Sequence, residues 1–430
     1  VKEDLLHFVW RLGRFDLKNL RTTEGAPIVL LKPGHLNPNA GPDFLEARIQ
    51  IGGTTWAGSV EMHLRSSDWY RHQHQEDPAY RPVILHVVLE EDEPVFHSDG
   101  SRIPCLELKN RIEPELYRTY QRLQSKSNWV PCQPQFVRVD PSKRKLWVES
   151  LAIERMQEKY ESLKPILDHC KGDWEYAFFV TLAQYLGGHV NKGPMQDLAK
   201  SLPYSLIRKH RHRLLQLEAL FFGQSGLMPS GLEDKYVAEL TKEYRYLQKL
   251  YRLTPMKKVE WKFLRMRPAN FPTIRVAQLA TLLHCTEHLF SKILAAANAK
   301  ELEHLFDLEV SQYWKNHYRF GKPSAPRNKR LGRSTIHMLA INAVAPFLFH
   351  YGEARHRPDL QEKALELWEE IPPERNKVVQ QWAQLGQESR NALQTQGLLQ
   401  LKKRYCDTGR CLDCRIGQTI LASSAAASAQ

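Results

Sequence analysis

The sequence predicts an α+β protein: a small N-terminal α/β core on a mixed sheet, then a larger, mostly helical domain that ends in a cysteine cluster. Three observations carry this. Strand-like runs with tight turn signals crowd into residues 27–109, helical periodicity takes over from about residue 111, and Cys406, Cys411 and Cys414 follow the last long helical pattern. The expected divisions are 1–110 for the core, 111–400 for the helical domain, 401–418 for the cysteine segment and 419–430 for a disordered tail of small residues.

Each element has its own signal. VKEDLLHFVWRL sets Leu5, Leu6, Val9, Trp10 and Leu12 on one helical stripe and leaves Glu3, Asp4 and His7 on the polar face. APIVLL predicts a short strand over 27–32, stopped by Pro33-Gly34, and HLNPNAGP is a loop dense in breakers. Strands over 43–51 and 55–64 flank Gly52-Gly53, a strong hairpin turn pair. The polar run RSSDWYRHQHQEDPAY predicts a turn or short helix, and RPVILHVVLEED, nearly continuous in β-branched residues, predicts a central strand covered on both faces. A last short strand fits within 102–109. Beyond it, segments such as LWVESLAIERMQEKYESLKPIL and DWEYAFFVTLAQYL keep a helical period with no fixed repeat, so bundled helices are expected.

Composition narrows the function classes. With 42% apolar and 25% charged residues, 430 residues are enough for two or three ordinary cores. No run approaches the ~18 uncharged apolar residues of a membrane span, and the N-terminus lacks the layout of a signal peptide, so no membrane partner and a cytoplasmic location are expected. The net charge of +13, concentrated in runs such as RKHRHR and RNKRLGR, predicts nucleic acid, DNA or RNA, as partner; the plainer alternative is a generically basic surface. Seven cysteines, an odd number, do not read as a disulfide framework.

The hairpin carries the chemistry. Asp43 opens its first strand and Glu61 closes its second, where the two ends come back together. A two-residue turn pairs 43 with 62, which suits the apolar pattern but sets Asp43 and Glu61 on opposite faces and brings Glu46 to Glu61 instead. A three-residue loop with a bulge pairs 43 with 63 and gathers Asp43, Glu61 and His63. Packing favours the first register and chemistry the second. The following loop adds Asp68, His72, His74, Asp77 and His86, a set suited to a second metal site or to gripping phosphate. The plainer readings are a helix cap for Asp68 and a hydrogen-bonded core position for His86.

Helix, strand, hairpin, short helix and buried strand, with these acids, resemble the core of the PD-(D/E)XK nuclease superfamily. The resemblance implies that Glu3 matches the helix acid, Pro42-Asp43 the PD and Glu61-Met62-His63 the (D/E)XK, with His63 in the usual place of lysine. It further implies Mg²⁺ or Mn²⁺ held by Asp43 and Glu61, with Glu46 in reserve, and phosphodiester hydrolysis by an active or degenerate nuclease. The alternative from another class is a non-catalytic nucleic-acid-binding or adaptor protein that keeps the core as a platform; a redox or zinc enzyme centred on the cysteines ranks last.

YCDTGRCLDCRIG arranges its thiols as C-x₄-C-x₂-C, and a soft metal wants a fourth, for which Cys132 is the candidate with Cys170 behind it. The layout resembles the iron–sulfur site of some nucleases of helicase–nuclease complexes, and zinc is chemically as acceptable. In RMRPANFPTIRVAQLA, Arg267, Asn270 and Arg275 cluster near a helix start, a place suited to phosphate; solvated arginines beside a capped helix are the alternative. With WAGSVEMHLRSSDWYRHQH and LEALFFGQSGL, these last two segments also resemble a bacterial family known as a domain of unknown function, a likeness that spans nearly the whole chain.

Overall fold

The computed structural model describes residues 2–125, 127–256 and 261–426. The chain forms two compact units, one of Val1–Trp147 with Leu401–Gln430 and the other of Val148–Gln400. Residues 111–147, expected to open the helical domain, therefore belong with the N-terminal unit, and so does the cysteine segment. The expected disordered tail is helical as far as Ala426, in a helix over Arg415–Ala426; its remainder, 427–430, lies outside the described residues.

The first unit opens with α1 (Glu3–Arg11), whose stripe of Leu5, Leu6, Val9 and Trp10 is buried. Strands β1 (Ile28–Lys32), β2 (His35–Leu36), β3 (Phe44–Ile51) and β4 (Thr54–Arg65) follow, then the single turn α2 (Asp68–Arg71), β5 (Val83–Glu90), β6 (Cys105–Glu107) and α3 (Pro114–Gln124). The sheet runs β1-β3-β4-β5-β6 with β2 also on β3. Its first half is antiparallel, whereas β4-β5 and β5-β6 are parallel, so the sheet is mixed as the sequence predicts. α1 packs on β4 and is pinned by the Trp10 indole N–H, which donates to the Pro33 carbonyl at 3.0 Å.

Gly52 and Gly53 both take positive φ, at 59° and 91°, and make the two-residue hairpin turn. Gly58 serves a different need. A Cβ there would meet the Pro82 carbonyl oxygen at 2.4 Å, so only glycine lets β5 lie against this point of β4.

The second unit is mostly helical, with one two-stranded antiparallel sheet of His317–Arg319 and Lys322–Pro323, around a core that includes Phe178, Phe221, Phe222, Trp314, Phe347 and Trp368. One carboxyl is sealed inside it: Glu218, 1% exposed, accepts a hydrogen bond from the Ser311 hydroxyl at 2.7 Å. Burial pushes that carboxyl up to about 7, and the bonds from Ser311 and Tyr236 only partly oppose it. Among the described residues no helix is long and apolar enough to cross a membrane.

Candidate metal centre

The β3-β4 ladder keeps the two-residue-turn register at its hairpin end and, at the other end, takes a pairing that differs from both 43 with 62 and 43 with 63. From Ile51 opposite Thr54 to Ala47 opposite Gly58 the pairing is that of the two-residue turn, with Ile49 facing Trp56. Between Ala47 and Phe44 it slips, and Phe44 faces Val60. β3 therefore carries one extra residue at Leu45-Glu46, a bulge in which Glu46 takes a φ of 57°. The slip turns Asp43 to face Glu61.

The two acids are locked together through the backbone. Glu61 Oε2 accepts the Asp43 N–H at 3.0 Å, and Asp43 Oδ2 accepts the Met62 N–H at 2.9 Å. From α1, His7 Nε2 lies 3.2 Å from Asp43 Oδ2. Burial lowers the His7 pKa, but the neighbouring Asp43 outweighs it and the net shift is upward. Glu3, one helical turn earlier, faces the same place: burial and then Asp43 raise its carboxyl.

Histidines complete the site. His63, two residues beyond Glu61 on the same strand face, is 2% exposed, and the turn after α2 brings in His72 and His74. A donor atom from each of these three rings lies within 4.8 Å of the others. Glu61 Oε1 stands 3.3 Å from His74 Nε2 and 3.6 Å from His63 Nε2, so a carboxylate oxygen borders the histidine group beside these two rings. The loop is held by Trp69, fully buried, and by Tyr80, whose ring stacks on His74 at 3.8 Å.

Behind His63, its Nδ1 meets Nε2 of the fully buried His86 at 2.8 Å. Burial and the neighbouring imidazoles push His63 down to about 2, and burial with His74 pushes His86 down to about 3, so both rings are neutral at pH 7. In the tautomer that donates Nδ1–H to His86, the His63 Nε2 lone pair faces Glu61 and His72, the orientation a metal ligand needs.

Other residues proposed from the sequence lie elsewhere. Glu46 turns outward at the bulge, to Lys32 at 3.3 Å and His35 at 3.7 Å, and is no reserve ligand. Asp68 is near by, but its oxygens serve Arg71 at 2.9 Å and the Arg65 N–H at 3.3 Å. His72, grouped with the phosphate-gripping residues, stands with His63 and His74 instead. In the helical unit Arg275 is 8% exposed and donates to Gln278, Asn270 and Thr335. It is a structural guanidinium that orders the loop of Arg267 and Asn270, because a charge so buried needs its partners inside the fold. His7 and His74 stand outside the set that the sequence marks as catalytic. Their signals are nonetheless present, His7 four residues after Glu3 on one helix face and His74 in the triplet His-Gln-His.

A donor set of three imidazoles and a carboxylate suits borderline ions such as Zn²⁺, Mn²⁺ or Fe²⁺, whereas Mg²⁺ prefers an all-oxygen shell. The family model described as protein of unknown function (DUF2851) matches residues 3–377. The chain belongs to that family. No curated protein and no solved structure matches it. Every member of the site, from Glu3 to His86, lies within the stretch matched to DUF2851, while Cys406, Cys411 and Cys414 follow it.

Proposed function

We propose that this chain is a metal-dependent hydrolase of phosphodiesters, with nucleic acid as its substrate class. The observation that carries the reading is the grouping of His63, His72 and His74, with Glu61 beside His63 and His74 and directly across the ladder from Asp43. A single Mn²⁺ or Zn²⁺ fits these donors better than Mg²⁺ alone, and when bound it supplies Lewis acidity toward a phosphoryl oxygen and makes water a better nucleophile near neutral pH.

The chain's own groups do the rest. His63 enters as a neutral donor, so it does not supply the fixed positive charge that a lysine gives in the nucleases this core resembles. His7, held beside Asp43, is placed to take a proton from the attacking water, with Asp43 orienting the ring. Support for a phosphodiester comes from a groove of about 270 Å³ beside the site, lined by His7 with Lys2, Arg11 and Arg410 and by the carboxylates Asp4 and Asp413, the latter paired with Arg410 at 3.1 Å. Three cations against two carboxylates leave the groove with a small positive excess, led by Lys2 and Arg11, that favours an anion approaching the acids.

The test is to strip the protein of metal, reload it with Mn²⁺, Zn²⁺ or Mg²⁺, and follow both ion binding by calorimetry and cleavage of single-stranded DNA, duplex DNA, RNA and bis-p-nitrophenyl phosphate. Mn²⁺ or Zn²⁺ should bind about one per site and support cleavage that Glu61→Ala and His74→Ala abolish. Tight ion binding with nucleic-acid binding and no cleavage of any substrate would favour the non-catalytic platform. Cleavage that survives both substitutions would remove the site from the reaction.

A further inference from the structure

The basic run at residues 208–213, which the histidine site leaves unused, lines a second cavity, this one within the helical unit. The helix Tyr204–His210 carries Arg208, Lys209 and His210 in its last turn, and Arg211 and His212 follow it. A second wall is the link between the helices Pro272–Cys285 and Leu289–Ala295, where Thr286, Glu287 and His288 lie. Glu175 and the buried Ile207 and Leu283 add to the lining. The space amounts to about 320 Å³, at the lower end of the roughly 300–1,000 Å³ of small-molecule sites.

The residues of the run are not equivalent. His210 is not part of the lining: its ring nitrogens lie 2.9 Å from Gln216 Oε1 and 2.9 Å from the Tyr251 hydroxyl. Arg211 is fixed twice. Its carbonyl accepts the His284 Nδ1–H at 2.6 Å, and its guanidinium, 15% exposed, meets Glu287 at 2.6 Å. Glu175, the other carboxylate of the cavity, accepts the Tyr204 hydroxyl at 3.2 Å. Arg208 and Lys209 are left over: among the described residues neither has a carboxylate partner, and Lys209 has only the Tyr251 ring, at 5.4 Å.

Counting Lys, Arg, Asp and Glu, three cations and two carboxylates line the cavity, an excess of one positive charge. The two unpaired cations are neighbours in the chain. Cations in a helix's last turn suit its dipole wherever they occur, but that does not account for a concavity with an apolar floor beside them. A ligand that fits has an anionic group for Arg208 and Lys209, a donor for Glu175, and the bulk to fill the space. A nucleoside monophosphate has all three: phosphate oxygens that match an arginine fork and a lysine point charge, and ribose hydroxyls or a base amino group as donors.

We propose that this cavity binds a phosphate monoester of nucleotide size, its phosphate held by Arg208 and Lys209 and a hydroxyl or amino group of the ligand donating to Glu175. The site needs no metal and shares no residue with the histidine site. Cleavage of a phosphodiester leaves a phosphate monoester, so the ligand is also of the product class; that link alone rests on the phosphodiester reading.

The test is calorimetric titration of the full chain at low salt with adenosine 5′-monophosphate, adenosine, inorganic phosphate, and a short oligonucleotide with and without a 5′-phosphate. The variants are Arg208→Ala/Lys209→Ala and, as a control that removes the same charge from another exposed helix face, Arg245→Ala/Lys249→Ala. The monophosphate or the phosphorylated strand should bind one per chain, inorganic phosphate should compete, and adenosine and the 5′-hydroxyl strand should bind far more weakly. Arg208→Ala/Lys209→Ala should lose at least about tenfold in affinity with its melting temperature kept, because a hydrogen bond to a charged group contributes roughly tenfold or more. The control pair and Glu61→Ala should bind as the parent does, so failure of the histidine site would leave this result standing. Tighter binding of the monophosphate assigns the cavity to a free nucleotide, and tighter binding of the phosphorylated strand assigns it to a strand end. No binding of any phosphate, equal binding of adenosine and its monophosphate, or an equal loss in the control pair would overturn the proposal.

Discussion

Asp43 and Glu61 hold one another in place through exchanged backbone bonds, the Asp43 N–H donating to Glu61 at 3.0 Å while the Asp43 carboxylate accepts from Met62 at 2.9 Å. Neither side chain can move without releasing the strand that bears the other. Their pairing depends on the bulge at Leu45-Glu46, and this makes a residue outside the site important to it.

Glu46 occupies a left-handed conformation that glycine adopts without steric cost. Its side chain is 73% exposed, and its contacts with Lys32 and His35 contribute little in water. Glu46→Gly should therefore raise stability by about 1 kcal/mol and leave ion affinity unchanged, since a non-glycine residue there costs roughly 1–2 kcal/mol. Glu46→Val, β-branched at the same φ, should destabilise the unit and weaken ion binding as the register slips. Calorimetric melting and ion titration of both variants check this.

His63→Lys would place a lysine where the superfamily that the sequence resembles usually carries one, yet here it should abolish ion binding. The new ammonium would be buried against His72, His74 and His86, and its folded-state pKa would fall below the unfolded value of roughly 10.4. The penalty is full below the folded pKa and fades as pH rises toward the unfolded one. The variant should melt well below the parent at pH 7 and recover much of the difference by about pH 10.

His86→Phe removes the hydrogen-bond partner of His63 while keeping an aromatic ring in the core. Loss of an orienting partner behind a metal ligand costs roughly 10- to 100-fold in affinity. Ion titration should show a weakening of that order, and unchanged affinity would mean that His86 is only a packed core residue.

The basic groove and the buried arginine make opposite predictions. Replacing Lys2, Arg11 and Arg410 together with alanine should flatten the log–log salt dependence of nucleic-acid binding by about 2 to 3, at roughly 0.7–0.9 for each phosphate that is no longer neutralised. Arg275→Ala should leave that slope unchanged and lower stability by about 2–4 kcal/mol, because it strips partners from Gln278, Asn270 and Thr335.

Glu218 gives the helical unit a pH dependence of its own. Its folded-state pKa of about 7 lies above the ordinary 4.5, so the folded chain binds the extra proton between those values. The stability it contributes is full below about pH 4.5 and is lost as pH rises through about 7, a change on the order of 3 kcal/mol. Glu218→Gln should remove this slope in melting curves taken from pH 4.5 to 8.

Element type was legible because local patterning decides it: the stripe of α1, the alternation around Gly52-Gly53 and the β-branched run of β5 all formed where expected. Register was only half legible. Apolar matching fixed the Ile49–Trp56 end, but nothing in the letters Leu45-Glu46 marks a bulge, because a left-handed glutamate has no signature of its own. The site followed the same division. Asp43, Glu61 and His63 stood out by strand period, whereas His7 and His74 arrive from a helix and a turn whose placement is set by tertiary packing. Arg275 misled for the converse reason, since burial is invisible in a basic, proline-punctuated segment.

The first unit is assembled from chain segments separated by about 250 residues of helical insert. During synthesis at roughly 5–20 residues per second, the sheet and its acids emerge and wait on the order of tens of seconds before the 401–430 segment appears. The groove wall carrying Arg410 is consequently a late arrival. A growing chain can acquire its histidine cluster early while the groove beside it stays unfinished, a built-in delay between formation of the cluster and completion of the surface next to it.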